Sequence, residues 1–367
     1  MKVAKLYSFN NIRIEDIPVP EIGPNDALIK TKACGICSGD VMKWYIERKA
    51  PLVLGHEPTG EIVEIGSSLI NHHSSLSIGD RVFTHHHASC LNCIHCKKGN
   101  YVHCKTWKNS KIIPGGISEY ILIPEINLKN DTLKLPENVS YEDGTLIEPL
   151  ACVLKGLKRA IPHTLPLHPP SHPPLIRGDK GGLYPPSFTV LILGLGVMGL
   201  LNLLILKKLG AGKIIGADMV QYRLNKAKEF GADEVVDISK ENLRESIKRI
   251  TDNYMADLVI VCPNSVEAME EGILCAGAGG TVLFFTPAKP DEKLTIDPNH
   301  LYFNDINVVT SYSCGAVETR EALSFIEDGV VRAEKLVTHK FPIEKTAEAF
   351  KLVAEAKESL KVVIVFE

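Results

Sequence analysis

TVLILGLGVMG, residues 189–199, decides how this chain folds. Five residues of strand type, four of them apolar, run into Gly194-x-Gly196-x-x-Gly199, and an apolar helical pattern follows. In isolation a GxGxxG triplet is a weak signal. Placed after a strand and at the opening of a helix it is a strong one. The first glycine permits the tight turn, the second lets a pyrophosphate approach the backbone, and the third lets helix pack on strand. The wider run, FTVLILGLGVMGLLNLLIL (188–206), is long enough to cross a bilayer. The glycine spacing and the strand-like start predict a buried strand–turn–helix instead.

Downstream the same alternation continues. KIIGA (213–217) leads into QYRLNKAKEFGA. EVV (234–236), DLVIVC (257–262), TVLFF (281–285) and NVVTSYS (307–313) follow, with helical patterns between most of them. Six short β runs separated this way predict a doubly wound parallel sheet, an α/β Rossmann architecture. Asp218 lies 19 residues after Gly199, at the end of the second strand. A carboxylate there binds ribose hydroxyls and repels a 2′-phosphate, so it favours NAD over NADP. Arg223, five residues on, either flanks the adenine or makes a helix-surface salt bridge.

Upstream, the first 150 or so residues read differently. ALIKTKA, GEIVEIG, DRVFTH and SEYILIP are short β runs between glycines and turn signals, which predicts an antiparallel or barrel-like β domain. Between the two regions lies HTLPLHPPSHPPLIRGDKGGLYPP, 163–186, with seven prolines and no usable period. It reads as an extended surface insertion that takes no part in the chemistry. The C-terminal tail holds one amphipathic helix and a final strand. The expected division is 1–152, 153–312 (carrying the insertion) and 313–367, the last returning to the first domain.

Four cysteines, Cys90, Cys93, Cys96 and Cys104, crowd into fifteen residues. Their spacing lets four thiolates meet on one tetrahedral ion, and zinc suits sulfur. The bacterial ferredoxin run has its fourth cysteine sooner and a proline after it, and neither is present here. Such a closed site stabilises a lobe and leaves no position for a substrate. Cys37, His56, Glu57 and Glu148 are further ligand types, though no spacing rule joins them. Cys34, Cys152, Cys262, Cys275 and Cys314 sit in apolar or small-residue settings and read as core.

Composition limits the rest. Net charge is −3 with no basic block, which argues against nucleic acid or an anionic membrane surface. The start, MKVAKLYSFNN, has no apolar signal-like stretch, so a cytoplasmic location with reduced thiols is expected.

CGICSGD, LGHEPTGEIVEIG, GDRV, the four-cysteine lobe, PGGISEY, EPLAC and LGLGVMG occur in an order that resembles the zinc-containing medium-chain alcohol dehydrogenases. The likeness is strongest to the sorbitol (polyol) and threonine dehydrogenase branch, and it spans nearly the whole chain outside 163–186. It implies a GroES-like β domain and a Rossmann domain. It implies two zinc ions per subunit, NAD, and a homodimer or homotetramer. By the same resemblance Cys37 and His56 ligate the catalytic zinc, Glu57 and Glu148 share the remaining protein position, and Asp40 orients the histidine. One position departs from the branch. Gly39 stands where a serine or threonine usually takes the substrate proton, and Ser38 comes one place early. His86, four residues before Cys90, is either a polar strand end or a substrate-pocket residue. The implied reaction is hydride transfer from a secondary alcohol, polyol or sugar-derived, to NAD. L-Threonine 3-dehydrogenase is the rival activity, and a non-catalytic NAD-binding or zinc-scaffold protein is the rival of another class.

Overall fold

The computed structural model describes residues 1–70, 76–161 and 188–367. The expected insertion, 163–186, lies outside the described residues. The chain divides into two compact units, Met1–Ala151 with Ser313–Glu367, and Cys152–Tyr312.

In the second unit six strands form one parallel sheet. Its order is Glu234–Asp237, Lys213–Asp218, Thr189–Leu193, Ala256–Val261, Ala276–Phe284, Asn307–Thr310. In chain order this is 3-2-1-4-5-6, the doubly wound Rossmann arrangement. Thr189–Leu193 lies at its centre and is buried at every position, as its unbroken apolar run requires. The membrane-length run resolves into that strand and the helix Val197–Lys208. The helix is apolar on nearly all sides because it is buried: Leu200, Leu201, Leu203, Ile205 and Leu206 have no exposure. Among the described residues no helix is long and apolar enough to cross a membrane. The fifth strand begins at Ala276, earlier than TVLFF suggested, because the glycine-rich AGAGG joins it through a register shift, with Gly279 at φ +74°.

The first unit is built mainly on antiparallel pairings, with Val337–Pro342 and Lys361–Val365 a parallel pair. Lys2–Ser8 pairs with Asn11–Asp16 and Leu52–Val53. A larger sheet runs Val337–Pro342, Lys361–Val365, Ala27–Ile36, Glu57–Ile65, Arg81–Thr84, Thr132–Lys134, with Tyr120–Ile123 also on Ala27–Ile36. The tail therefore returns to the first unit. Its helix Thr346–Glu355 packs Ala349 and Phe350 against Leu6, Ile36 and Val362. Each fully buried leucine, isoleucine or phenylalanine of this core contributes about 1.5–3 kcal/mol.

The cysteines expected in the core separate into two groups. Cys34, Cys275 and Cys314 are buried, whereas Cys152 and Cys262 are half-buried. The Cys314 sulfur, moreover, lies 3.8 Å from His85 Nε2.

Candidate functional site

Strand register assembles the first cluster. Gly35 pairs with Glu57, and Ile36 pairs with Val362. One strand thus ends just before Cys37, its neighbour begins just after His56, and the next begins at Lys361. Three adjacent strand ends deliver four reactive side chains to one place. The ligand atoms of Cys37, His56 and Glu57 all lie within 4.8 Å of one another.

Partners fix each of them. Asp40, buried in a 3-10 turn over Ser38–Val41, holds Oδ2 3.2 Å from His56 Nδ1. That leaves Nε2 as the nitrogen able to ligate, the usual arrangement for a metal-bound histidine. The Gly39 backbone N–H donates to Cys37 Sγ at 3.3 Å. Burial pushes the Cys37 thiol pKa up. Burial also opposes charge on His56, but Asp40 and Cys37 outweigh it and hold the ring well above the usual histidine value. A cation at this place reverses both effects, since it needs thiolate and neutral imidazole.

Glu57 has no exposure, and its Oε2 accepts from Lys361 Nζ. Lys361, itself 1% exposed, also donates to the Ile36 carbonyl at 3.2 Å. Glu57 Oε1 has no hydrogen-bond partner among the described residues. A buried carboxylate oxygen left unmatched costs about 1–3 kcal/mol or more. Beside a thiol and an oriented imidazole it is the third donor of a set that fits zinc with one position open. Burial raises the Glu57 pKa, Lys361 works against this, and Glu148 adds to it.

Glu148, in the first turn of the helix Ile147–Ala160, is placed elsewhere. Its carboxylate groups with His85 and Cys314, again within 4.8 Å, rather than with all of the Cys37 set. His86 does reach the first cluster. Its ring centroid lies 5.0 Å from that of His56, and its Nδ1 is buried without a partner among the described residues. Burial, followed by the neighbouring histidines, drives its pKa well below the usual value. Lys361 escaped sequence reasoning. The one available signal was a lysine opening an otherwise apolar strand, KVVIV.

The four-cysteine lobe closes on itself. Sγ–Sγ distances are 3.9 Å for Cys90–Cys96, 3.6 Å for Cys93–Cys96 and 3.5 Å for Cys90–Cys104. Four sulfurs at about 2.3 Å from a tetrahedral zinc stand about 3.8 Å apart. The backbone N–H of Cys93 donates to Cys90 Sγ, and that of Cys90 to Cys104 Sγ. Val102 and Trp107 pack behind the thiols.

In the Rossmann unit the glycine turn has its expected shape. Gly194 has φ +81°, and Gly196 caps the following helix. A Cβ on Gly199 would stand 2.0 Å from the Gly194 carbonyl oxygen, so no side chain fits there. Asp218 is 5% exposed. It accepts from the N–H of Leu195 at 2.7 Å and of Val220 at 2.9 Å. Arg223 extends back over the turn, 3.8 Å from Asp218, with its Nε unpartnered among the described residues. A helix N-terminus, a glycine cradle and a guanidinium gathered at one strand edge form an anion site suited to a dinucleotide.

A Rossmann unit with this turn, in one chain with a β unit holding an open Cys/His/Glu set and a closed four-sulfur set, defines a zinc-dependent dehydrogenase that uses a nicotinamide cofactor. Comparison with known proteins agrees. Residues 23–137 match the alcohol dehydrogenase GroES-like domain, and 197–328 match the zinc-binding dehydrogenase domain. A sorbitol dehydrogenase of Bombyx mori is 31% identical over 98% of this chain and 97% of its own length. A zinc-binding dehydrogenase from Sinorhizobium meliloti 1021, solved with NADP, superposes with TM-score 0.81 at 27% identity over 100% of this chain and 99% of its own. A 2R,3R-butanediol dehydrogenase of Bacillus subtilis gives 0.80 at 25% identity, over 100% and 99%. The chain belongs to the zinc-containing medium-chain alcohol dehydrogenase family, in its sorbitol dehydrogenase branch, and is an NAD(P)-dependent zinc alcohol or polyol dehydrogenase.

Proposed function

We propose that this enzyme oxidises a secondary alcohol carrying a neighbouring hydroxyl, a polyol or sugar-derived alcohol, and that it prefers NAD. The observation that carries the reading is the buried, unpartnered Oε1 of Glu57 beside Cys37 and His56. When bound, zinc supplies Lewis-acid polarisation of the alcohol and the nicotinamide supplies the hydride acceptor. The chain's own residues do the rest. Cys37, His56 and Glu57 hold the cation, Asp40 fixes the imidazole, and Lys361 fixes the carboxylate. Gly194, Gly196 and Gly199 admit the pyrophosphate.

Asp218 supports the NAD preference. An ionised carboxylate offers about four lone-pair sites. Backbone N–H groups use two of them, which anchors the group and leaves capacity for ribose hydroxyls. Gly39 has no hydroxyl to serve as a serine relay, so Glu57 is the carboxylate of the Cys37 set that takes the alcohol's proton. Two zincs per subunit, a homodimer or homotetramer and a cytoplasmic location complete the reading, supported by the two ligand sets and the family.

The test is NAD reduction with a panel of sorbitol, xylitol, butane-2,3-diol, propan-2-ol and L-threonine. Turnover with a polyol or diol, and faster with NAD than with NADP, is expected. Turnover confined to L-threonine, or faster with NADP, contradicts it.

A further inference from the structure

His85, Glu148 and Cys314 come from three separate parts of the first unit: the end of the strand Arg81–Thr84, the first turn of Ile147–Ala160, and the segment before the helix Ala316–Glu327. They bring nitrogen, oxygen and sulfur donors within 4.8 Å of one another. His85 and Cys314 have no exposure and Glu148 has 5%. None of the chemistry above needs His85 or Cys314.

The histidine is held as a ligand would be. Its Nδ1 lies 2.8 Å from Asp131 Oδ2. With a carboxylate oxygen at Nδ1, a neutral ring places its proton on Nδ1 and offers its lone pair at Nε2. Asp131 is fixed in turn: Thr319 Oγ1 donates to its Oδ1 at 2.5 Å, and its backbone carbonyl accepts from the His85 N–H at 3.0 Å. A carboxylate behind Nδ1 that turns Nε2 inward is the usual support of a metal-bound histidine. His85 Nε2 then faces Cys314 Sγ at 3.8 Å. Nitrogen and sulfur at about 2.0–2.1 and 2.3 Å from one tetrahedral zinc stand about 3.5 Å apart. The pair needs to move by only a few tenths of an ångström.

Charge points the same way. Thiolate, carboxylate and neutral imidazole around a divalent cation sum to zero, which suits a site closed to water. We propose that His85, Glu148 and Cys314 form a third cation site, separate from the two zinc sets above, which takes zinc or another divalent ion that tolerates sulfur. It ties the strand, the helix and the C-terminal segment together. Glu148 then serves as a ligand here, which leaves Glu57 as the carboxylate of the Cys37 set.

Metal content tests this. Protein expressed in zinc-supplemented medium should carry three zinc equivalents per chain by plasma mass spectrometry. Cys314→Ser should carry two, Cys37→Ser two, and the double variant one. Loss at Cys37 reports on the catalytic set alone, so the two readings fail separately. A count unchanged by Cys314→Ser, with native circular dichroism, overturns the proposal. Should that variant not fold, cadmium-113 NMR of the unaltered protein decides. Three resonances support the third site, and two overturn it.

Discussion

Lys361 has more riding on it than any other side chain the sequence left unremarked. It and Glu57 are both removed from water, and each is the other's charge partner. Burial alone would push the lysine pKa down, but Glu57 foremost holds it up. Removing one member of such a pair strands the other, at a cost of about 3–5 kcal/mol. Lys361→Met should therefore lower stability by about that amount in chelator-treated protein, measured by urea unfolding against equally treated wild type. With zinc restored the loss should shrink, because the cation takes over as partner of Glu57. A loss under about 1 kcal/mol in the metal-free protein would show that the pair is not charged. At this scale the sequence was partly legible. Cys37, His56 and Asp40 sit inside short motifs, and the chain folds them together locally. Lys361 is 304 positions from Glu57, and only strand register unites them. The same holds for Cys314 and His85, 229 apart. Glu148 carried a motif, EPLAC, yet nothing in that motif says which neighbours its carboxylate meets.

Among the elements, the glycine turn and the strand ending at Asp218 were the most readable, because their chemistry is backbone chemistry. A positive φ at Gly194 and a missing Cβ at Gly199 leave a direct mark in the sequence. Apolar runs marked the central strands equally well. The glycine-rich start of the fifth strand left no such mark, because AGAGG has no β-branched or aromatic side chain to signal a strand. Asp218→Ala should weaken NAD use and narrow the gap to NADP, read as kcat/KM for each cofactor. No change in the ratio would mean that Asp218 only braces the turn through Leu195 and Val220. The four-cysteine lobe has a small apolar cluster behind its thiols, Val102 and Trp107 with the half-buried Tyr101, so its stability is expected to come largely from ligation. Cys93→Ser should thus lower the thermal midpoint and release one zinc while the Cys37 set keeps its own. Loss of both zincs together would show that the lobe and the catalytic set are coupled.

For the whole molecule, the question is whether 163–186 matters. Its sequence has no core-forming period, and the entropic cost of a longer connection grows only by about 0.6 kcal/mol for each doubling of length. Joining Pro162 to Ser187 should leave a folded, active dehydrogenase with its NAD affinity nearly unchanged. A hundredfold loss of activity in a shortened protein that still holds its metals would assign the segment a function. The account as a whole rests on Cys37, His56 and Glu57 holding the zinc that activates the alcohol. Paired measurement of bound zinc and alcohol-dependent NAD reduction in Cys37→Ser tests this most directly. A Lewis acid supplies several kcal/mol of barrier lowering, so turnover should fall by about a thousandfold or more. One zinc equivalent should be lost with it, and the circular dichroism should stay native. A Cys37→Ser protein that keeps its full zinc content and its turnover would contradict the account.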